Sequence, residues 1–237
     1  MTLESVPPEP VPAGRADPPP PSRVPSRNGV LQFLRRAQKY SAYGFLGFAG
    51  LHLTATVVLP PLNAAWAESA FMAGRSVYQT EIGEAVLVYG SIGVHVASGA
   101  ALHAYRLWIQ YRDSGAARWR LSSQAVTGWA LTGLAALHVA AMRWAPVARL
   151  GDSSLVSLDY AAYGLHKPWV AASVLALCGV AFAHIVPGLR RYGLRVHRSF
   201  VGAGALWSGL AVLALRHQDA AQGWMAEQFE TAYKWVW

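Results

Sequence analysis

One cysteine occurs in 237 residues, and charged side chains make up only 14% of them, well under the roughly 25% of an average soluble domain. The lone Cys178 excludes a disulfide framework within the chain, and its place in an apolar run suits a small packed side chain. No glycine-rich phosphate loop follows a strand-like run. No Ser/His/Asp set, paired-carboxylate arrangement or soluble zinc motif stands out, so the expectation is that the chain is not an enzyme. Gly99, Gly188, Gly202, Ala205 and Gly209 read as close-packing positions between helices.

Apolar sequence, by contrast, is abundant and comes in blocks. Hydrophobic residues reach 54% and the mean hydropathy is +0.25. Ser41–Pro60, Ala85–Tyr105, Gln124–Ala145, Pro168–Leu189 and Ser199–Leu215 are each about as long as a bilayer-spanning helix requires, roughly 17–25 residues. The expected fold is therefore an all-α integral membrane protein with five spans. A short interfacial helix over Leu31–Tyr40 is expected to lead into the first. An amphipathic helix is expected after Gln218, on the opposite surface, with Trp224, Met225, Phe229, Tyr233, Trp235 and Trp237 among its residues. Glu84 is expected in the interface ahead of the second span.

The five-span count sorts the charges. Fourteen Lys and Arg against four acids fall on the amino-terminal side, and six against eight on the other. Cytosolic loops carry the cationic excess in membrane proteins, so the amino terminus is expected in the cytosol. Basic loops beside a bilayer also attract anionic headgroups, which accounts for the pI near 9.9 without nucleic acid. Residues 1–30, rich in Pro, Ser and Arg, are expected to be a disordered tail. They have neither the apolar core of a secretory signal nor the basic amphipathic helix of a matrix-targeting peptide.

A segment is written twice. Gly47-Phe48-Ala49-Gly50-Leu51-His52-Leu53-Thr54-Ala55 returns 86 residues later as Gly133-Leu134-Ala135-Ala136-Leu137-His138-Val139-Ala140-Ala141. His95 with Gly99 returns 89 residues later as His184 with Gly188. An imidazole in hydrocarbon is costly unless partnered, so repeating that cost in matching places points to a shared structural or ligand-binding task. The expected organisation is a first transmembrane repeat over 31–122, a second over 123–192, and a fifth helix with its tail over 193–237.

Several motifs in order resemble a known family: Lys39-Tyr40-Ser41-Ala42-Tyr43, Gly50-Leu51-His52-Leu53-Thr54, Ser76-Val77-Tyr78-Gln79-Thr80 and Gly93-Val94-His95-Val96-Ala97-Ser98-Gly99. In the second copy these are matched by Leu137-His138, Gly151-Asp152-Ser153-Ser154, Tyr163-Gly164 and His184. Over about residues 31–192 the chain resembles the fungal mitochondrial outer-membrane adaptors of the Mcp type, which carry a duplicated transmembrane domain. The resemblance implies a multi-pass outer-membrane protein of lipid homeostasis. It also implies an adaptor that recruits the bridge-like lipid-transfer protein of the vacuolar sorting system at organelle contacts. Such adaptors carry an apolar-x-x-apolar-x-Pro-x-Pro motif, and Leu3, Val6, Pro8 and Pro10 fit it. Two prolines two apart pre-set an extended segment and lower the ordering cost of binding.

The duplicated domain is also distantly similar to the membrane-anchor subunits of succinate dehydrogenase and fumarate reductase, which hold haem b between helices. That similarity implies the alternative function, a haem b-binding redox protein with bis-histidine ligation, and makes His52, His95, His138 and His184 candidate axial ligands. Estimated depth favours His52 with His95 or His138, and offers His103 with His184 as a second pair, without choosing between them. The plainer reading is that each imidazole bonds a carbonyl or a hydroxyl, with Thr54, Ser98 and Thr132 nearby. His166, His197 and His217 fall at loop or span edges.

Overall fold

The computed structural model describes residues 27–114, 122–151, 156–218 and 221–234. The partner-binding candidates Leu3, Val6, Pro8 and Pro10 lie outside them, as do Asp152, Ser153 and Ser154. The described residues are all helical or connecting, and five helices are long and apolar enough to cross a membrane. They are α1 (Arg27–Leu53, continued by a π-helical turn over Thr54–Val58), α3 (Glu81–Ser114), α4 (Ser123–Leu150), α6 (Pro168–Arg191) and α7 (Ser199–Arg216). Three shorter helices, α2 (Ala64–Tyr78), α5 (Leu158–Leu165) and α8 (Gly223–Tyr233), complete the set among the described residues.

All five expected spans are therefore present. The expected interfacial helix over 31–40 is not a separate element: no breaker follows Tyr40, and α1 runs unbroken from Arg27. Helix starts are fixed locally. Asn63, Thr80, Ser122 and Ser157 each accept a backbone N–H through the side chain at the start of α2, α3, α4 and α5, filling donors that a helix start leaves unpaired. Pro168 opens α6 at a position where its missing N–H costs nothing. Gly151 ends α4 in the left-handed region, with φ of 66°.

The spans pair within repeats: α1 packs along α3, α4 along α6, and α7 along α6. Across the repeats, α1 and α3 have no extensive backbone contact with α4 or α6. Little of each span is buried in protein, at most 22% of its apolar window, as suits helices whose outer faces meet lipid.

The densest packing lies at one end of the bundle, where α2, α5 and α8 cap the spans. Ala55, Ala67, Phe71 and Leu158 form one buried cluster there. Val156, Tyr160, Val170, Phe229, Ala232 and Tyr233 form another. The expected amphipathic carboxyl-terminal helix is α8. Part of its apolar face is packed against the end of the bundle, with Phe229, Ala232 and Tyr233 at most 1% exposed, while Trp224 is exposed. Tyr233 stacks on Tyr160 with ring centres 4.7 Å apart, and its hydroxyl donates to the Tyr160 carbonyl at 3.1 Å. Burial pushes both phenols well above their ordinary pKa.

Candidate functional site: histidine pairs between the repeats

Each repeat contributes two histidines, and the fold sets each beside its own copy. The rings of His52 on α1 and His138 on α4 have centres 6.0 Å apart at 72°. Those of His95 on α3 and His184 on α6 have centres 6.3 Å apart at 88°. The structure sets His52 beside His138, one of the two partners the sequence offered for it. The alternatives, His52 with His95 and His103 with His184, are not pairs here, because His184 already faces His95. His103 lies two turns beyond His95 on α3, and its Nε2 is buried with no hydrogen-bond partner.

The backbone repeats as the sequence does. A π-helical turn begins two residues after His52, over Thr54–Val58, and two residues after His138, over Ala140–Trp144. Such turns insert a residue into the helical ladder and often accompany functional sites. A third lies at Glu84–Gly90 on α3. Groups from neighbouring helices reach two of the carbonyls in these turns. The Tyr160 hydroxyl donates to the Ala141 carbonyl at 2.9 Å, and Trp207 Nε1 to the Val58 carbonyl at 3.3 Å.

Two glutamines, not anticipated from the sequence, complete the arrangement. The Gln38 carbonyl lies 3.1 Å from His95 Nδ1 and accepts its proton in the tautomer that carries one there. The Gln124 side chain donates to the His184 carbonyl at 2.9 Å, and Thr127 Oγ1 lies 3.2 Å from His184 Nδ1. Gln38 and Gln124 are separated by the same 86 residues as His52 and His138. The glycines of the repeated His-x-x-x-Gly make room for them. A Cβ at Gly99 would stand 3.0 Å from Gln38 Nε2, and one at Gly188 3.5 Å from Gln124 Nε2. Thr54, Ser98 and Thr132 do not serve the histidines' rings: each turns its hydroxyl onto a carbonyl of its own helix. A helix carbonyl four residues back is always within reach, whereas a ring on a neighbouring helix is not.

At the other pair, His52 Nδ1 is buried and without a partner, while the ring stacks on Phe48 with centres 5.4 Å apart. An orphaned imidazole nitrogen is costly in an apolar setting. The spacing of the two rings would suit a metal held between them. A metal–nitrogen bond of about 2.0 Å, plus about 1.1 Å from nitrogen to ring centre, on both sides sets the centres about 6.3 Å apart. Edge-to-face rings pack over a similar range. What favours a ligand is that both pairs have this spacing, that each joins one repeat to the other, and that the flanking backbones stand apart. The cavity beside His138 is only about 10 Å³ and is lined by residues of the second repeat alone, so a macrocycle would need the repeats to part around it. Iron protoporphyrin fits the donor set, two neutral imidazoles from facing helices.

Near the His52–His138 level lies an ion pair. Arg143 Nε and Nη2 donate to the two carboxylate oxygens of Glu84 at 2.8 and 2.7 Å. Tyr89 donates to the same carboxylate at 3.3 Å, and Trp144 Nε1 to the Tyr89 hydroxyl at 3.0 Å. Glu84, expected in the interface ahead of the second span, is half of a bridge between α3 and α4. His197, expected at a span edge, caps the start of α7, its Nδ1 accepting from the Ser199 N–H at 3.2 Å.

Together these features define a polytopic helical membrane protein built on a duplicated hairpin, with histidines paired across the duplication. Residues 133–228 match the family model for the transmembrane domain of MDM10-complementing protein 1. The match spans the second repeat from Gly133 onward, α7 and the start of α8, and it supports the Mcp-type resemblance over that part of the chain. No curated protein and no solved structure matches the chain.

Proposed function

We propose that the chain is a mitochondrial outer-membrane protein with two separable parts: a transmembrane bundle that binds haem b between its repeats, and an amino-terminal segment that docks a lipid-transfer protein. The haem reading is carried by one observation, the two His–His pairs at 6.0 and 6.3 Å, each with one ring from either repeat. Bound there, haem would supply one-electron exchange. The chain's own residues would fix the rings, His95 through the Gln38 carbonyl and His184 through Thr127 and Gln124, and the surrounding apolar helices would keep water out. The purified protein, made under haem-replete conditions, should show a sharp reduced α band. The band should weaken on His52→Ala or His95→Ala and persist in His217→Ala. A protein with no such band sinks the haem reading.

The family match over residues 133–228 supports the mitochondrial membrane setting, and the second part rests on the amino-terminal motif itself. On this reading the chain supports mitochondrial lipid homeostasis by recruiting a bridge-like lipid-transfer protein at organelle contacts. Leu3 and Val6 are the side-chain anchors and Pro8 and Pro10 the stiffening elements. Pro8→Ala with Pro10→Ala should abolish recruitment of that partner to mitochondria while leaving membrane insertion and the haem spectrum unchanged. Recruitment at the wild-type level would reject the tail as the docking site.

A further inference from the structure

We infer that the groove between α3 and α4 at the capped end is a binding site for one glycerophospholipid, held by its phosphate. Glu84, Tyr89, Arg143, Trp144, Val147 and Ala148 line this groove, whose volume is about 350 Å³. Neither the haem reading nor the docking reading above uses these residues, so the site stands or falls apart from both.

Arg143 has donors to spare. Its Nε and Nη2 donate to the two oxygens of Glu84 at 2.8 and 2.7 Å, which occupies one edge of the planar guanidinium. The other edge, Nη1 with the second hydrogen of Nη2, forms a like fork. Nη1 is buried and has no hydrogen-bond partner among the described residues. A desolvated donor without an acceptor is costly, and Glu84 cannot serve both edges at once. A guanidinium fork matches two oxygens of a phosphate. Nη1 is covered by its surroundings, and the groove wall freest to uncover it is the Trp144 indole, 52% exposed and held by the Tyr89 hydroxyl at 3.0 Å.

Depth fits the same ligand. The 28 residues of α4 make a helix roughly 42 Å long, against a hydrocarbon layer about 30 Å thick. The helix ends therefore reach past the hydrocarbon. Arg143 lies roughly 10 Å before the end of α4 at Leu150, and Glu84 lies in the first turn of α3. That is the level at which a leaflet sets its phosphates and glycerol esters. Tyr89 and Trp144 flank the pair there, as aromatic side chains do at a membrane boundary.

The charges of Arg143 and Glu84 cancel, so the site does not demand a ligand of high net charge. It demands a phosphate oxygen for the free fork and an apolar body to lie along Trp144, Val147 and Ala148, all three exposed. A phospholipid supplies both. Free phosphate lacks the apolar body, and a diacylglycerol lacks the phosphate.

The test uses the full chain in detergent. Native mass spectrometry counts what it retains after addition of dioleoyl phosphatidylcholine, dioleoylglycerol or inorganic phosphate. One phosphatidylcholine per chain is expected, with dioleoylglycerol and phosphate each bound about tenfold more weakly or worse. Arg143→Lys keeps a cation for Glu84 but has no second fork, and should lose the lipid by a similar factor. Ala148→Phe fills the groove from an exposed position, leaves the ion pair whole, and should do the same. Equal retention by the wild type and Ala148→Phe overturns the site, as does equal retention of dioleoylglycerol. Inorganic phosphate bound as tightly as the phospholipid overturns the lipid as its occupant. Ala148→Phe decides even if Arg143→Lys fails to fold.

Discussion

Replacing Arg143 by Leu is expected to destabilise the bundle by about 3–5 kcal/mol, the usual cost of leaving one member of a desolvated ion pair alone. Arg143 and Glu84 are 23% and 20% exposed at the side chain, and both lie in span-forming helices. The pair is bidentate at 2.8 and 2.7 Å, which is the strong form of this contact. Arg143→Leu leaves the Glu84 carboxylate with only the Tyr89 hydroxyl. The double variant, Glu84→Leu with Arg143→Leu, removes both charges and should recover most of the loss, since apolar replacement of a buried pair is often neutral or better. Thermal unfolding of the purified protein in micelles, compared across the two single variants and the double, measures this coupling. A loss in the double variant equal to the sum of the two single losses would mean that the charges act independently. The pair lies five residues beyond His138 and joins π turns of α3 and α4, so it also holds the two repeats together beside the capped-end histidines. Its loss should therefore loosen the His52–His138 level before the His95–His184 level.

Most of the fold was legible in the sequence because a bilayer imposes a length and a composition on whatever crosses it. Each of the five apolar blocks became a helix, and the 86-residue echo around His52 and His138 became a repeated piece of backbone. The π turns were not legible. An i→i+5 ladder differs from an α-helix by one inserted residue and leaves no mark on hydropathy. The role of α8 was half visible. Its aromatic residues announced an apolar face, but composition cannot say whether that face meets lipid or, as here, Tyr160 and Val170.

The histidine partnership was legible by an argument the depth estimate obscured. Two spans per repeat give the copies the same direction through the membrane, so a pseudo-twofold axis runs along the membrane normal. A side chain near such an axis meets its own copy at its own depth. His52 must then face His138, and His95 must face His184, whatever the error in locating the span ends. Gln38 and Gln124 were available by the same route, since each lies fourteen residues before a repeated histidine. They passed unnoticed because a glutamine near the end of an apolar block reads as ordinary polar flanking sequence. The Glu84–Arg143 pair had no such signal, as its members are 59 residues apart and are not copies of one another.

Gly164→Ala is expected to undock α8. Gly164 lies in α5 against the Tyr233 ring, and a Cβ built there would overlap the phenol of Tyr233. That ring cannot easily retreat, because it is 1% exposed, stacked on Tyr160 and hydrogen-bonded to the Tyr160 carbonyl. Overpacking of this kind costs about 1–3 kcal/mol, occasionally more. Tyr233→Ala on its own should cost about 3–5 kcal/mol through the cavity it leaves. Carried together, the two substitutions should cost less than their sum, since the added methyl enters the space the ring vacates. Unfolding monitored by tryptophan fluorescence gives the three values, and strict additivity would refute the contact. The Lys167–Glu230 pair at 2.7 Å contributes less to the same docking. With side chains 22% and 32% exposed, it is worth at most about 1 kcal/mol. The Lys167 hydrogen bond, aided by that of Tyr163, holds the Glu230 carboxyl below its ordinary 4.5. A carboxyl whose folded value is depressed stabilises fully above its unfolded value and loses that contribution as pH falls through the depressed one. Acidification through that window should therefore weaken α8 in the wild type and leave Glu230→Gln, already lacking the charge, unaffected at this contact. Gly164→Ala should be damaged at every pH, which separates the packing contribution from the ionic one.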